Sequence, residues 1–551
     1  MNAQQLPQTI WTTGSTEGFK TGTWRAALPH YIDAPSPCHQ ACPVGGDIAE
    51  WIALARARDF RGSWDVLTRH NPFPAVAGRI CHHPCEAGCN RAGFDAPLAI
   101  CKLERLVGDM ALEAGWTFAA PEVERDQHVA IVGAGPSGLS AAFHLRRRGY
   151  RVTVYESQPE LGGLMRYGIP AYRLARPVLD GELQRLHALG IEFKRGHAMA
   201  RDQDIEHLRA THDAVYLAIG AGRPKRLPQL PEPAPWWMDG ADYLARANSG
   251  TPPALGSRLI VVGGGSAALD AARSARRAGH EVTLLALERA KQMPAQADEV
   301  AEALEEGITL VDGAMLTKVT PNGNAGLVLE CVQVCFEPGA QRGKFSVTPV
   351  GGSEFMLAAD AIISSIGQDP ELAALSKRFA LGGALLQVDA AQATSADRVW
   401  AGGDVASMAR FVTEAIGMGQ RAAQEIDRVL QGLGASADAP SEPVVALGNI
   451  ATYYYAPQAR AAEARLPTVE RLASGAEVQL GLELEQALLE TERCFSCGHC
   501  IHCDNCFHYC PDLAVKRVNG GYAVLLDYCK GCGVCVRECP TGSMTMREEV
   551  R

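Results

Sequence analysis

The stretch HVAIVGAGPSGLSAAFHLRRRGYRVTVYE, His128 to Glu156, decides the fold. Val129 to Val132 read as a buried strand, Ser140 to Arg148 as a helix, and Arg151 to Tyr155 as the next strand. Gly133, Gly135 and Gly138 give G-x-G-x-x-G at the join. Glycines there let the backbone approach a pyrophosphate, which then sits on the helix start at Pro136 and Ser137. Glu156 ends the second strand, about 20 residues downstream, where a carboxylate accepts from ribose hydroxyls. The glycine motif alone is weak. Strand, turn, helix, strand and acid in that order point firmly to a dinucleotide.

The pattern recurs in RLIVVGGGSAALDAARSARRAGHEVTLLALE, Arg258 to Glu288. Gly263, Gly265 and Ala268 fill the three positions, and Ser266 and Ala267 open the helix. Two such units suggest a flavin and a nicotinamide cofactor. A third element, VWAGGDVASMARFVTEAIGMGQRAA from Val399, carries Gly402, Gly403 and Asp404 after a strand. Asp404 is placed to bond a ribityl hydroxyl. The stretch from Thr413 through Ala415 reads as a helix whose start faces the flavin or its phosphates. The second unit is therefore expected to be inserted between two halves of the first.

The chain of 551 residues allows three or four domains. A net charge of −10 argues against nucleic acid as a partner. No apolar run reaches the ~20 residues that span a bilayer. The start MNAQQLPQTIWTTGSTEGFK has neither a basic n-region nor an apolar h-region, so a cytoplasmic location is expected. Six of the 18 cysteines lie between residues 38 and 101 and ten between 494 and 539. Such clustering points to metal ligands rather than disulfides.

ELGGLMRYGIPAYRL, Glu160 to Leu174, is similar to the flavin loop of the glutamate synthase small-subunit family. That family includes the N-terminal half of dihydropyrimidine dehydrogenase and bifurcating ferredoxin:NADP oxidoreductases. SSIGQDP, Ser364 to Pro370, and the GGD segment match too, and the resemblance spans roughly residues 35 to 430. It implies FAD at the first site, with Gly163, Leu164, Gly220 and Gly403 among its contacts. It implies NAD(P)H at the second, with Gly367 among its contacts.

PCHQACPVGGDIAEWIALARARDF, NPFPAVAGRICHHPCEAGCNR and PLAICKLERLVGD resemble the family's helical iron–sulfur domain. Zinc is the alternative, since C-x3-C spacings also bind it. Carried over by resemblance, one [4Fe–4S] cluster takes Cys42, Cys81, Cys85 and Glu104. Cys101, three residues from Glu104 on one helix face, competes for that role. The second cluster takes Cys38, Cys89 and a pair in an R-C-x-x-C-G motif that the family carries upstream. Here no such pair precedes Cys38, and RCFSCG stands at Arg493 to Gly498 instead. Cys494 and Cys497 are therefore expected to fold back onto Cys38 and Cys89. A separate zinc or redox pair is the alternative.

Cys500, Cys503, Cys506 and Cys510 before Pro511 form C-x2-C-x2-C-x3-C-P, the bacterial ferredoxin run, and YCKGCGVCVRECP repeats it. The fourth cysteine of each run ligates the other cluster. The expected sets are Cys500, Cys503, Cys506 and Cys539, then Cys510, Cys529, Cys532 and Cys535. Cys331 and Cys335, in LVLECVQVCFEP, are expected to be packing residues in a strand.

The expected fold is multidomain α/β. A helical iron–sulfur domain (35–120) follows an N-terminal extension (1–34). Two nested Rossmann-like units come next: the leading half of the FAD-binding domain (121–250), the NAD(P)-binding domain (251–372) and the closing half of the FAD-binding domain (373–432). A linker and helix (433–493) lead to an α+β ferredoxin domain (494–551). Glu288 at the end of the second nicotinamide strand favours NAD(H), because it would repel a 2′-phosphate. Arg289 beside it keeps NADP(H) open. The expected function is an FAD-dependent NAD(P)H oxidoreductase with four [4Fe–4S] clusters and no catalytic acid or base of its own. It would serve a redox partner subunit: a 2-oxoacid, aldehyde or glutamate synthase catalytic subunit, or soluble ferredoxin. A glutamate synthase small subunit and a bifurcating oxidoreductase are alternatives, and a zinc-stabilised scaffold is the non-enzymatic one.

Overall fold

Two parallel sheets form the centre of the chain, and each is built from short, largely apolar strands covered on both faces. The computed structural model describes residues 20, 25–32, 34–230, 234–323, 326–340, 342–375, 377–434 and 444–549. The first sheet runs Val399–Ala401, Ala214–Leu217, His128–Val132, Arg151–Glu156, Glu192–Arg195. The second runs Thr309–Val311, Glu281–Leu285, Arg258–Val262, Ala361–Ser364, Trp237–Asp239. All pairings in both are parallel. The second sheet lies wholly between Leu217 and Val399, so one unit is inserted in the other. An antiparallel pair, Arg223–Pro224 with Gln368–Asp369, marks the two crossings.

One boundary differs from expectation. Residues 237–248, expected in the flavin unit, belong to the nicotinamide unit. Trp237–Asp239 pairs with Ile362–Ser364, and the helix Gly240–Asn248 that follows is capped by the Asp239 carboxylate. The short run WMD carries no glycine motif to reveal its allegiance. A three-stranded antiparallel sheet, Ala314–Pro321, Leu327–Pro338 and Phe345–Ala359, extends from the nicotinamide unit. Cys331 is buried in it, as expected, but Cys335 is exposed, where the hairpin runs beyond the core.

The helical domain docks through missing side chains. A Cβ on Gly78 would lie 2.3 Å from the Arg105 backbone, and one on Gly108 would lie 2.3 Å from Ala75 N. These reciprocal glycines press helix Pro74–Ile80 onto helix Ile100–Glu113. On the helix Val412–Leu430, Gly417 admits the carbonyl of Pro43 and Gly419 that of Ser137. The flavin unit and the cysteine-bearing loop after Cys42 therefore meet at backbone contact distance.

The chain's two ends meet as well. Ala27–Tyr31 forms an antiparallel pair with Met544–Glu548. Arg25 binds Glu549 at 2.7 Å, and Gly498, whose N donates to Thr541 O at 2.8 Å, packs so closely on Ala34 that a Cβ there would lie 2.2 Å from its carbonyl oxygen. The segment 456–483 crosses the molecule as a strap. Its Glu477 accepts from Arg79, Arg105 and Ala175 N, and so touches both the helical and the flavin units. After the helix Leu484–Glu492, Arg493 is buried. It donates to Glu490 at 2.6 Å, to Asp95 at 3.1 Å and to Ala96 O at 2.6 Å. Among the described residues, no helix is long and apolar enough to cross a membrane.

Removing one partner of a buried ion pair costs about 3–5 kcal/mol. Arg493→Met is therefore expected to loosen the returning segment locally. Amide exchange should speed up at Gly498 and in Ala27–Tyr31, while both parallel sheets stay protected. Unchanged exchange at Gly498 would mean that Arg493 does not hold this segment.

Candidate functional site

The flavin turn divides its labour among three glycines. Gly133 has φ +104°, and a Cβ there would lie 2.3 Å from Ala218 O. A Cβ on Gly138 would lie 1.9 Å from Gly133 O, so that glycine seats the helix on the strand. A Cβ on Gly135 would meet nothing within 4 Å, which leaves open space in front of the helix start. The helix Pro136–Arg147 begins with Pro at its first turn, where no N–H is lost from the ladder. Gly163 comes close to Gly135, and Gly403 lies against the Ser137 side chain. Ser137 and Tyr216 share a 2.6 Å hydrogen bond. Burial pushes the Asp404 carboxyl up, while Arg410, 3.7 Å away, opposes the shift. Glu156 accepts from Ala134 N at 2.7 Å and from Gln158 N at 2.8 Å, which fixes it at the strand end. Leu164 opens the helix after Gly163, Ala415 lies next to Gly403, and Gly220 follows the strand Ala214–Leu217 with φ +70°. These residues fit a dinucleotide: a cradle that a Cβ would fill, a helix start and an anchored acid.

The second turn repeats the design. Gly263 is closed off by Ser365 O, Ala268 is fully buried, and Gly265 faces open space. Ser266 donates to Glu299 at 2.6 Å, Ala267 follows it in the first helical turn, and Gly367 closes the crossing with φ +98°. Glu288 reaches over Gly264, and burial pushes its carboxyl up. Arg289 pairs with Asp312 at 3.4 Å, and its neighbour Ala290 N bonds the same carboxylate.

Cysteines from distant parts of the chain converge in three cavities. One is lined by Cys38, Cys89, Cys494 and Cys497. Another is lined by Cys500, Cys503, Cys506 and Cys539, and the third by Cys510, Cys529, Cys532 and Cys535. These are the three all-cysteine sets expected from the sequence. Burial pushes Cys38, Cys494 and Cys497 up, Cys497 to about 12, and neighbouring thiols add to the effect. Cys535 is likewise pushed to about 12. Thiols so reluctant to ionise alone suit a ligand set, because a bound cationic centre reverses that balance. Among the described residues, no three His, Cys, Asp or Glu side chains group tightly enough to hold a single ion. The thiols of each set surround a cavity.

Cys42, Cys81, Cys85 and Glu104 lie within electrostatic reach of one another. Burial and then Glu104 push Cys81 to about 12. Burial pushes Glu104 to about 7, and Asn71, donating at 2.8 Å, holds the carboxylate against that shift. Cys101 also lies within electrostatic reach of Cys81 and Glu104, but its thiol is turned to a backbone carbonyl. It is buried between two helices and its Sγ donates to Gly78 O at 3.4 Å. Thr413, at the start of the flavin-unit helix, approaches Cys81 at 3.5 Å. That helix thus touches both the flavin cradle and the set that contains Cys81. Sequence reasoning missed Asn71, the strap and the N-terminal strand; none of them carries a motif.

A family profile for pyridine nucleotide-disulphide oxidoreductases matches residues 127–419. Profiles for dihydropyrimidine dehydrogenase domain II with a 4Fe–4S cluster and for a 4Fe–4S binding domain match residues 33–116 and 522–545. The NADP(+)-dependent formate dehydrogenase subunit beta of Moorella thermoacetica is 34% identical over 519 residues, covering 87% of this chain and 73% of its own. The NADPH-Fe(3+) oxidoreductase subunit beta of Geobacter sulfurreducens is 33% identical over 532 residues, 87% of this chain and 78% of its own. The NAD-dependent dihydropyrimidine dehydrogenase subunit PreT of Escherichia coli is 32% identical over 401 residues, 72% of this chain and 92% of its own.

Replacing Glu104 should separate it from Cys101. Glu104→Ala is expected to lose one cluster, about a quarter of the bound iron if four clusters are present. Cys101→Ser should keep all of it. The reverse pattern in an iron and sulfide assay would transfer the role to Cys101.

Proposed function

The chain belongs to the pyridine nucleotide-disulphide oxidoreductase family, and from that premise we propose that it is the flavin subunit of a larger redox enzyme. It exchanges electrons between NAD(H) and a partner subunit through FAD and four [4Fe–4S] clusters. A bound flavin supplies the one chemistry this needs, exchanging hydride with a nicotinamide and single electrons with iron–sulfur clusters. The chain's own residues hold, orient and insulate.

The observation that carries this reading is the continuity of the ligand sets. Thr413 joins the flavin cradle to Cys81. Cys38 lies in the first turn of one short helix and Cys42 caps its end, and Cys85 and Cys89 are the same distance apart in the chain, so the two helical-domain sets share two runs of backbone. Tyr455 lies in the electrostatic field of Cys494, Cys497 and Cys539, between that domain and the ferredoxin-like one. The helix Asn505–His508 carries Cys506, and Cys510 follows just past its end, so the last two sets are joined there. Each set is thus tied to the next by a short span of chain or a single side chain. The exposure of Cys500, Cys503 and Cys532 supports the ferredoxin-like end as the side a partner approaches.

The relatives are named as subunits, which supports a partner subunit with its own catalytic site. Formate, ferric iron and pyrimidine appear in their names, so the terminal substrate belongs to the partner. Their names carry both NADP(H) and NAD(H). Glu288 over the second glycine turn, with Arg289 paired to Asp312, favours NAD(H) here.

NADH is expected to bleach both flavin and cluster absorbance anaerobically, with higher kcat/KM than NADPH. Glu288→Ala should narrow that gap by about 1–3 kcal/mol, the scale of one contact to a charged group. Outright preference for NADPH would refute the NAD(H) assignment. Bleaching of the flavin alone would refute the electron path.

A further inference from the structure

We infer that the N-terminal strand Ala27–Tyr31 sets the redox potential of one ferredoxin-like site, through a hydrogen bond from the Tyr31 hydroxyl to the sulfur of Cys506. The inference rests on the proposed cluster at Cys500, Cys503, Cys506 and Cys539. The Tyr31 hydroxyl lies 3.0 Å from Cys506 Sγ, and Tyr31 lines the same cavity as the four cysteines. A cysteine bound to iron is a thiolate and can only accept, so the phenol must be the donor.

The geometry is held from several directions. Tyr31 is opposite Met544 in the two-stranded sheet. Its ring stacks on Tyr522 with centroids 6.1 Å apart. Ile32 N donates to Ser543 O at 3.0 Å, immediately after it. The hydroxyl is therefore carried by a strand that lies 475 residues before its sulfur in the chain. Thr541 and Ser543 lie 3.6 and 3.4 Å from the Cys539 sulfur of the same set. In the neighbouring set, Ala514 N and Gly531 N donate to Cys510 and Cys529. Those backbone donors come with the turn that binds the cluster. The Tyr31 donor does not; it is brought by a separate strand.

Hydrogen bonds to cluster sulfurs stabilise the reduced, more negative state and raise the potential. Tyr31 thus favours electron residence at the ferredoxin-like site adjoining the helical domain. Its strand acts as a tuning element as well as a clasp.

Tyr31→Phe removes the hydroxyl and keeps the ring. With iron content unchanged, one cluster midpoint in an EPR-monitored titration is expected to move to more negative potential, with the others unmoved. The exchangeable-proton coupling of that cluster in ENDOR should weaken. Full iron with every midpoint unchanged would overturn the inference. Loss of iron would overturn it too, because the hydroxyl would then be a folding contact. An unmodified chain lacking iron at this set would instead overturn the cluster reading, before any variant is made.

Discussion

The whole arrangement depends on one buried cation. Arg493 sits at the point where the chain returns from its strap to the helical domain, and its guanidinium is spread over Glu490, Asp95 and the carbonyl of Ala96. Glu490 in turn accepts from Ala99 N and Ala461 N, each at 2.8 Å. Arg91 pairs with Asp95 and lies against the rings of Phe94 and Phe495. A charge desolvated in this way is tolerable only when its partners are in place. The network therefore defines a single docked position for the residues that follow, Cys494 and Cys497. A metal centre bound to the thiol set they complete would add a second reason for the ends to stay together.

Around that junction, packing keeps the flavin unit and the thiols close. The glycines of Val412–Leu430 let the helix touch both the flavin turn and the loop after Cys42. Gly78 against Arg105 and Gly108 against Ala75 hold the helix before Cys81 against the helix that carries Glu104. These glycines act by what they lack. Gly417 removes the side chain that would otherwise hold the flavin unit away from the loop after Cys42, and Gly78 and Gly108 do the same between two helices of the helical domain.

Much of this was legible in the sequence, for identifiable reasons. Glycine turns after apolar strands constrain backbone and ligand together, so both dinucleotide units and their nesting could be read. Cysteine spacing is stringent, so the two ferredoxin sets could be written down from the runs themselves, while the joining of Cys38 and Cys89 with Cys494 and Cys497 rested on the resemblance of RCFSCG to the family's displaced pair. What stayed hidden lacks local chemistry. Trp237–Asp239 joins the nicotinamide sheet because of where it lands, not because of its composition. The N-terminal strand ALPHY pairs across the whole chain, and Tyr31 is one tyrosine among 13 until its neighbour is known. Asn71 orients Glu104 from another turn of chain, a relation that spacing does not encode. Cys335 departs from expectation because a strand-like stretch does not reveal where its hairpin leaves the core.

The central claim is that cysteines from the two ends of the chain share one iron–sulfur site. Iron and sulfide counting on the full-length double variant Cys494→Ala/Cys497→Ala tests it most directly. The account predicts retention of about three-quarters of the iron, with both ferredoxin-type signals intact and one helical-domain signal gone. Undiminished iron, or loss of a ferredoxin-type signal instead, would contradict it.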